Sequence, residues 1–286
     1  MRRKDNARNP VQNRDQLTPA KGRWTSNILL TLLVLTCKPP AACADSTAYS
    51  QLLAANVRPG KIGNVTLNLV RYADLRNDPL YQQAVKDLAS ADAEALATEA
   101  ERFAFWINAY NLLAIKTVVE HYPIASIRDV GGFFSPVWKQ PAGIVAGKPY
   151  SLDEIEHGIL RPRFHDPRVH FAVVCASVSC PDLRAEAYTG SRLSEQLNDA
   201  ARRFLENPAK GVVVENGSVS VSSIFRWFGD DFETGGGVLA FIRAEASPAL
   251  VTELGNFKDS GLSWIDYDWS LNDAARDDVA RGRNPQ

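Results

Sequence analysis

The sequence lacks an excess of charge of either sign. Its 286 residues include 32 lysines and arginines against 33 aspartates and glutamates, which gives a formal net charge of −1. Nucleic-acid-binding chains normally carry a basic surplus, so this balance predicts no nucleic-acid partner. Acidic tails, repeats and low-complexity segments are absent too. With 45% hydrophobic residues, the chain is long enough for one well-filled core or two small ones.

A hydrophobic run long enough for a comfortable transmembrane anchor is also missing at the N-terminus. The apolar run Ile28–Thr36 is short for a bilayer. It follows a basic segment over residues 1–23 and precedes Ala42-Cys43-Ala44, the order typical of a secretory signal peptide. We therefore predict a signal peptide over residues 1–44 and a periplasmic or secreted mature protein. Membrane contact is expected only if this segment stays uncleaved as an anchor.

Cysteine is scarce, and its spacing excludes several common motifs. Of four cysteines, Cys37 and Cys43 lie in the predicted signal peptide, which leaves Cys175 and Cys180. Four residues separate this pair, so the CxxC spacing of thioredoxin-type and many zinc motifs is absent. In an oxidising compartment such a pair either forms a disulfide or includes a thiol that performs chemistry.

The remaining pattern predicts a single α+β domain over residues 45–272, helix-rich with a small sheet, and a polar tail over 273–286. Helices are predicted over 78–96, 99–122, 152–160 and 191–205, a hairpin around Asn216-Gly217, and a buried strand over 169–174. The helix over 152–160 begins with a capping box formed by Ser151 and Glu154.

A thiol and an imidazole in this domain suggest nucleophilic catalysis. Cys175 ends the predicted strand, where its side chain would face a cleft, and His157 on the preceding helix could act as its base. Asp153 lies one turn before His157 on the same helix face and could orient the imidazole. Cys180 precedes a proline and a turn, so we favour Cys175 as the nucleophile. We interpret His170 as a hydrogen-bonded core histidine.

Two amides interrupt the longest predicted helix, which is apolar on nearly all sides. Asn108 and Asn111 lie three residues apart and share a face. Buried amides need hydrogen-bond partners. They either fasten a neighbouring loop, or orient the histidine or polarise a substrate carbonyl.

Five motifs, in this order, carry a family resemblance. They are Phe105-Trp-Ile-Asn-Ala-Tyr-Asn111, Ser151-Leu-Asp-Glu-Ile-Glu-His157 with Leu160-Arg161, Asp166-Pro-Arg-Val-His-Phe171 through Ser179-Cys-Pro181, Ser223-Ile-Phe-Arg-Trp227, and Tyr267-Asp-Trp-Ser-Leu-Asn272. Together they resemble the domain-of-unknown-function 547 (DUF547) family, bacterial exported type, over roughly residues 50 to 272. The family is also distantly similar to papain-like and transglutaminase-like thiol folds. Its name implies no activity.

The chemistry of the residues therefore decides the expected function. We expect a Cys–His thiol hydrolase or acyltransferase that acts on an amide or thioester of a peptide or small molecule, without a cofactor. The alternative is a non-catalytic binding domain with a structural Cys175–Cys180 disulfide, its cleft walled by Phe133, Phe134 and Trp138. A thiol–disulfide oxidoreductase is less favoured, as is a zinc site of both cysteines with His157 and His170.

Overall fold

The computed structural model describes residues 47–132 and 135–280. The predicted signal peptide lies outside these residues, as do Phe133 and Phe134 of the predicted cleft wall. Within the described residues, no helix has both the length and the apolar character needed to cross a membrane.

The fold is α+β and helix-rich, as predicted, but the strands of the described residues form three small sheets where one was expected. The α-helices are α1 Ala48–Asn56, α2 Tyr72–Leu75, α3 Pro79–Ala89, α4 Glu99–His121, α5 Leu152–Ile155, α6 Arg161–Phe164, α7 Leu193–Leu205, α8 Ser223–Trp227, α9 Asp230–Glu233, α10 Val238–Glu245, α11 Pro248–Leu254 and α12 Ala274–Ala280. The strands are β1 Val57–Ile62, β2 Val65–Val70, β3 Pro141–Val145, β4 Lys148–Ser151, β5 Val212–Glu215, β6 Ser218–Ser222 and β7 Leu262–Ile265. Short 3-10 helices cover Ala93–Ala95, Ile127–Val130, Val137–Lys139, Pro167–Phe171 and Asp259–Gly261.

Hairpins build most of the sheet structure. Strands β1 and β2 pair antiparallel, as do β3 and β4. The third sheet has the order β5-β6-β7, with β7 parallel to β6. Asn216 and Gly217 join β5 to β6 with φ of 51° and 75°. Two consecutive positive φ angles are what a type I′ turn requires, so the Asn-Gly signal predicted this hairpin correctly.

Helix α4 is the centre of the larger hydrophobic cluster. Its N-terminus carries a capping box in which Thr98 and Glu101 each satisfy a backbone N–H of the other. Buried side chains occur on most of its circumference, Ile107, Ala109 and Val118 among them. An all-round apolar helix is stable only inside a core, which explains its central place.

A second hydrophobic cluster is built around phenylalanine rings. Phe171 is fully buried, and its ring centroid lies 5.2 Å from that of Phe204, 5.6 Å from Phe225 and 5.4 Å from Phe241. This cluster packs the 3-10 helix Pro167–Phe171 against α7, α8 and α10. Aromatic burial of this extent is a large source of stability.

The predicted strand over 169–174 is wrong. Residues Pro167–Phe171 form a 3-10 helix, and the chain then runs without regular structure to Cys175. Asp166 accepts a hydrogen bond from the backbone of Arg168 and Pro167 occupies the first turn, so local capping starts a helix there. A short apolar run buried on all sides does not by itself distinguish a strand from a helix.

The segment 152–164 is one helical run with an irregular middle. The capping box of Ser151 and Glu154 begins α5, as the sequence predicted. Residues Glu156–Leu160 then form a π-helical turn before α6. Single π-helical turns are often found at functional sites, because they change the direction in which neighbouring side chains point.

Residues 273–280, the first part of the predicted tail, are partly folded onto the domain. Helix α12 lies beside β1, and Arg58 donates a hydrogen bond of 3.0 Å to buried Asp277. Asp273 accepts a hydrogen bond of 2.8 Å from the Tyr122 hydroxyl.

Candidate active site

A cavity of about 260 Å³ lies next to the loop that carries the two cysteines. The π-helical turn contributes Glu156 and His157, and α5 contributes Asp153. Both cysteines and His170 line the same cavity. The structure therefore gathers four of the six predicted site residues, Cys175, His157, Asp153 and Cys180, around one space.

Asn111 holds the loop that leads to Cys175. Its Nδ2 donates to the carbonyl of Ala172 at 2.9 Å, and its Oδ1 accepts from the backbone N–H of Val174 at 2.8 Å. Both ends of this buried amide are thus used by the loop. Asn111 positions the backbone just before the thiol, which corresponds to the loop-fastening alternative.

Asn108 makes the same kind of contact elsewhere. Its Nδ2 donates to the Tyr188 carbonyl at 2.8 Å, and its Oδ1 accepts from the Tyr188 N–H at 2.9 Å. Asn108 is not among the residues that line the cavity beside Cys175. Its amide fastens a different loop to α4.

The thiol of Cys175 is partly buried and surrounded by hydrogen-bond donors. Its Sγ lies 2.9 Å from the Ser177 hydroxyl, 3.0 Å from Sγ of Cys180 and 3.3 Å from the Tyr267 hydroxyl. Burial alone raises the pKa of Cys175, but these hydrogen bonds outweigh it and lower the pKa to about 7. These contacts therefore favour the thiolate form of Cys175.

Cys180 is the less reactive member of the pair. It is 4% exposed, and burial raises its pKa well above the ordinary value, with the neighbouring Cys175 adding to the effect. The two sulfur atoms are 3.0 Å apart, much longer than the roughly 2.05 Å of a covalent S–S bond. Both cysteines are free thiols, so the structural disulfide proposed from the sequence is not formed in this structure.

His157 lies at the exposed edge of the cavity. Its Nδ1 accepts a hydrogen bond of 2.6 Å from Arg161, and its Nε2 is 3.8 Å from the Asp153 carboxylate. Partial burial, followed by the charge of Arg161, lowers the pKa of His157. Because Arg161 occupies Nδ1, the neutral ring carries its proton on Nε2 and has no lone pair left for a thiol proton.

His170 is buried, as expected, but only one of its ring nitrogens is satisfied. Its Nε2 lies 2.6 Å from the Asp231 carboxylate, while buried Nδ1 has no hydrogen-bond partner among the described residues. A carboxylate only accepts hydrogen bonds, so Nε2 carries the proton and Nδ1 keeps a lone pair. Burial lowers the pKa of His170, which favours the neutral form of the ring.

Arg161 fixes the Asp231 side of this pair. Its guanidinium donates from Nε at 2.6 Å and from Nη2 at 2.9 Å to the two carboxylate oxygens of Asp231. The hydrogen bond from His170, and then those from Arg161, hold the pKa of Asp231 well below its ordinary range. Asp231 is therefore ionised at any physiological pH and holds the His170 tautomer in place.

Glu156 lines the same cavity as His170 and Cys175. One of its carboxylate oxygens is 4.0 Å from Nδ1 of His170, and the Tyr110 hydroxyl donates a hydrogen bond to it. Burial, and then the negative charge of the Cys175 thiolate, raise the pKa of Glu156 to about 7. Carboxyl groups with such a pKa are suited to proton transfer near neutral pH.

Aromatic rings packed against one another form a further wall of the cavity. The Trp227 ring centroid lies 4.8 Å from that of Tyr267 and 5.6 Å from that of Trp269. Trp138 extends the wall, with its centroid 6.1 Å from Trp269. Trp227 is 42% exposed, so this wall offers an accessible apolar face.

The described part of the chain offers no group of three or more His, Cys, Asp or Glu side chains arranged to hold a metal ion. The zinc site considered from the sequence consequently lacks a ligand set there. In this region His170 instead pairs with Asp231, and His157 with Arg161.

Residues 94–205 match the family model described as "Protein of unknown function, DUF547". The resemblance to the DUF547 family is thereby confirmed over this segment. It contains α4, the π-helical turn and the cysteine loop, and hence the polar side of the cavity. Asp231 and the aromatic residues Trp227, Tyr267 and Trp269 lie beyond it.

No curated protein and no solved structure shows a significant match to the chain. The likeness of the DUF547 domain to papain-like and transglutaminase-like folds therefore stays a prediction. The same holds for the resemblance of the motifs at 223–227 and 267–272.

Several residues of the site were not singled out from the sequence. They are Tyr110, Glu156, Arg161, Ser177, Asp231 and Tyr267. Five of these six lie within the motifs quoted for the family resemblance, which is the signal that could have pointed to them. Asp231 lies outside every motif, and its pairing with His170 spans 61 positions.

Proposed function

We propose that the cavity beside Cys175 is the active site of a thiol-dependent hydrolase or acyltransferase that acts on an amide or thioester. The observation that carries the proposal is a thiol of lowered pKa that lines the same cavity as a buried imidazole, whose Nδ1 has no hydrogen-bond partner within residues 47–132 and 135–280. Enzymes that transfer acyl groups through a thiol usually combine a thiolate nucleophile with a base that a third group holds in place.

The reaction begins with attack of the Cys175 thiolate on the acyl carbonyl. The thiol proton passes to the bases of the cavity, Glu156 and Nδ1 of His170, whose nearest atoms lie 4.0 Å apart. Hydrogen bonds lower the pKa of Cys175 and burial raises the pKa of Glu156, and these opposite shifts make the carboxylate a better acceptor for the thiol proton. The same groups then protonate the leaving amine or thiolate and activate water or another acceptor.

The hydrogen bonds favour His170 over His157 as the imidazole of this mechanism. Nδ1 of His170 is free to accept a proton, whereas Nδ1 of His157 already accepts from Arg161. Asp231 accepts a hydrogen bond from Nε2 of His170. The carboxylate thereby orients the imidazole, as the third group of a catalytic triad does. The aromatic wall supports binding of an apolar part of the substrate.

Acyl transfer to the protein tests the proposal directly. The full chain is mixed with p-nitrophenyl acetate, and the initial burst of nitrophenolate is compared with the mass of the tryptic peptide 169–184, which contains both cysteines. We expect acetylation of Cys175 at a rate that rises with pH to a plateau above about pH 7. The burst should disappear in Cys175→Ser and persist in His157→Ala.

Asp231→Asn, with Asp230→Asn as its matched control, tests the role of the His170 imidazole. Asp231→Asn removes the negative charge that fixes the His170 tautomer and adds an N–H donor beside Nε2, and we expect acylation about 100-fold slower, in line with the usual contribution of general base catalysis. Asp230 is exposed and next in sequence, so Asp230→Asn should keep the wild-type rate. An unlabelled Cys175 in the wild type, or equal rates in Cys175→Ser and wild type, would refute the proposal.

A further inference from the structure

The two cysteines of the cavity are in contact without a bond between them. Sγ of Cys175 lies 3.0 Å from Sγ of Cys180, and the Cys175 backbone N–H donates to the Cys180 sulfur at 2.9 Å. Formation of a disulfide would shorten the sulfur separation by only about 1 Å. The pair therefore needs little movement to become bridged.

Backbone hydrogen bonds to residues 270–272 hold the loop between the two cysteines in this conformation. The N–H of Val178 donates to the Ser270 carbonyl at 2.8 Å, and the N–H of Asn272 donates to the Ala176 carbonyl at 3.0 Å. Ala176 has φ of 63°, a left-handed conformation that non-glycine residues rarely adopt. The surrounding structure thus fixes a strained turn that keeps both sulfurs together while they are reduced.

The two thiols have different environments. Cys175 is partly exposed in the cavity, and the Ser177 and Tyr267 hydroxyls lie close enough to donate to its thiolate. Cys180 is buried, and burial keeps it protonated. An accessible thiolate beside a protected second thiol is the arrangement of redox-active pairs that react with peroxides.

We propose that Cys175 and Cys180 form a reversible dithiol–disulfide couple that reduces a hydroperoxide entering the cavity and thereby turns off the acyl-transfer nucleophile. The peroxide chemistry stands on the geometry of the pair alone. Only the loss of acyl transfer rests on the proposed function.

The Cys175 thiolate attacks one oxygen of a hydroperoxide, the O–O bond breaks, and the leaving alkoxide takes a proton to become an alcohol. Cys175 is then a sulfenic acid. Cys180 attacks its sulfur, the S–S bond forms, and hydroxide leaves with the Cys180 proton as water. Two thiols are oxidised by two electrons, and a dithiol reductant reverses the change.

The mass of the tryptic peptide that contains both cysteines tests the proposed dithiol–disulfide couple. The reduced full chain is treated with one molar equivalent of hydrogen peroxide, quenched with N-ethylmaleimide, and digested with trypsin. Peptide 169–184 contains both cysteines and no other, so Cys37 and Cys43 do not interfere. We expect this peptide to lose two hydrogens and its ability to take up maleimide, and to regain both cysteines after dithiothreitol.

Two variants separate the roles of the cysteines. Cys180→Ser should stop at a sulfenic acid on Cys175 that dimedone traps, and Cys175→Ser should leave Cys180 unoxidised by the same dose. A wild-type peptide that remains doubly alkylated after peroxide, or a Cys175→Ser variant that consumes peroxide at the wild-type rate, would overturn the inference.

The outcomes also separate this inference from the proposed function. Bridging of the peptide without any acetylation by p-nitrophenyl acetate would leave the redox couple standing and remove the acyl-transfer proposal. Acetylation of Cys175 that persists after peroxide treatment would remove the redox couple alone. If both stand, peroxide should abolish the burst and dithiothreitol should restore it.

Discussion

At the scale of single residues, Glu156 has the environment with the clearest consequence for stability. Its side chain is 12% exposed and lies near the Cys175 thiolate, and these two conditions raise its pKa from 4.5 to about 7. The folded protein therefore holds this proton at pH values where the unfolded chain has released it. By linkage, the stability contribution of Glu156 falls as the pH rises from about 4.5 to about 7.

Glu156→Gln should remove this pH dependence. The shift corresponds to roughly 3 kcal/mol of unfolding free energy. We expect the variant to gain about that much relative to wild type between pH 4.5 and pH 8. Urea denaturation at a series of pH values measures the difference. Glu154 is a capping residue whose pKa is lowered, so Glu154→Gln should leave the pH dependence of the unfolding free energy between pH 4.5 and pH 8 as it is in wild type.

At the scale of elements, α4 connects the packed core with the reactive loop. Its two asparagines make equivalent pairs of backbone hydrogen bonds, but only those of Asn111 hold the residues before Cys175. The Asn111 side chain thus fixes the backbone before Cys175 to a helix of the packed core.

Asn111→Ala and Asn108→Ala should separate stability from reactivity. Each variant leaves a backbone carbonyl and N–H without a partner, which should cost about 3 kcal/mol of unfolding free energy. Only Asn111→Ala should release the cysteine loop from the donors that lower the Cys175 pKa. We expect iodoacetamide to label Cys175 about tenfold more slowly at pH 6 in Asn111→Ala, the effect of one pKa unit.

Asn108→Ala serves as the control, with an alkylation rate at Cys175 close to wild type. Equal slowing in both variants would mean that general destabilisation, rather than the anchoring of the loop, controls the thiol. The urea curves of both variants verify that they are folded during the measurement.

Elements that depend on local rules could be predicted from the sequence. The capping box at Ser151 and the Asn216-Gly217 turn are determined by backbone hydrogen bonding and by positive φ angles, which neighbouring residues dictate. The long apolar pattern of α4, ended by Pro123, likewise identified its bounds closely.

The rest of the site depends on contacts between distant residues. The pairing of His170 with Asp231, and the approach of Tyr267 to Cys175 over 92 positions, leave no periodic signal in the chain. The π-helical turn that directs Glu156 into the cavity also lacks a sequence pattern of its own. For this reason the sequence indicates His157 as a candidate base, whereas the Nδ1 of His170, unpartnered in the described part of the chain, is identified only from the fold.

At the scale of the whole molecule, the 3-10 helix Pro167–Phe171 joins the two hydrophobic clusters. Val169 packs in the cluster around α4, and Phe171 packs in the phenylalanine cluster. His170 lies between them in sequence and lines the cavity. Because one short helix contributes to both clusters, we expect them to unfold as a single cooperative unit.

Phe171→Ala tests this coupling. Loss of a fully buried phenylalanine should cost about 3 to 5 kcal/mol, and Phe171→Leu, which retains most of the volume, about 1 kcal/mol. Amide hydrogen exchange is then measured on peptides from α4 and from α10. In a cooperative unit the most protected amides of both helices lose the same free energy, although α4 lies in the other cluster. Faster exchange confined to α10 in Phe171→Ala would show instead that the phenylalanine cluster opens independently of the core around α4.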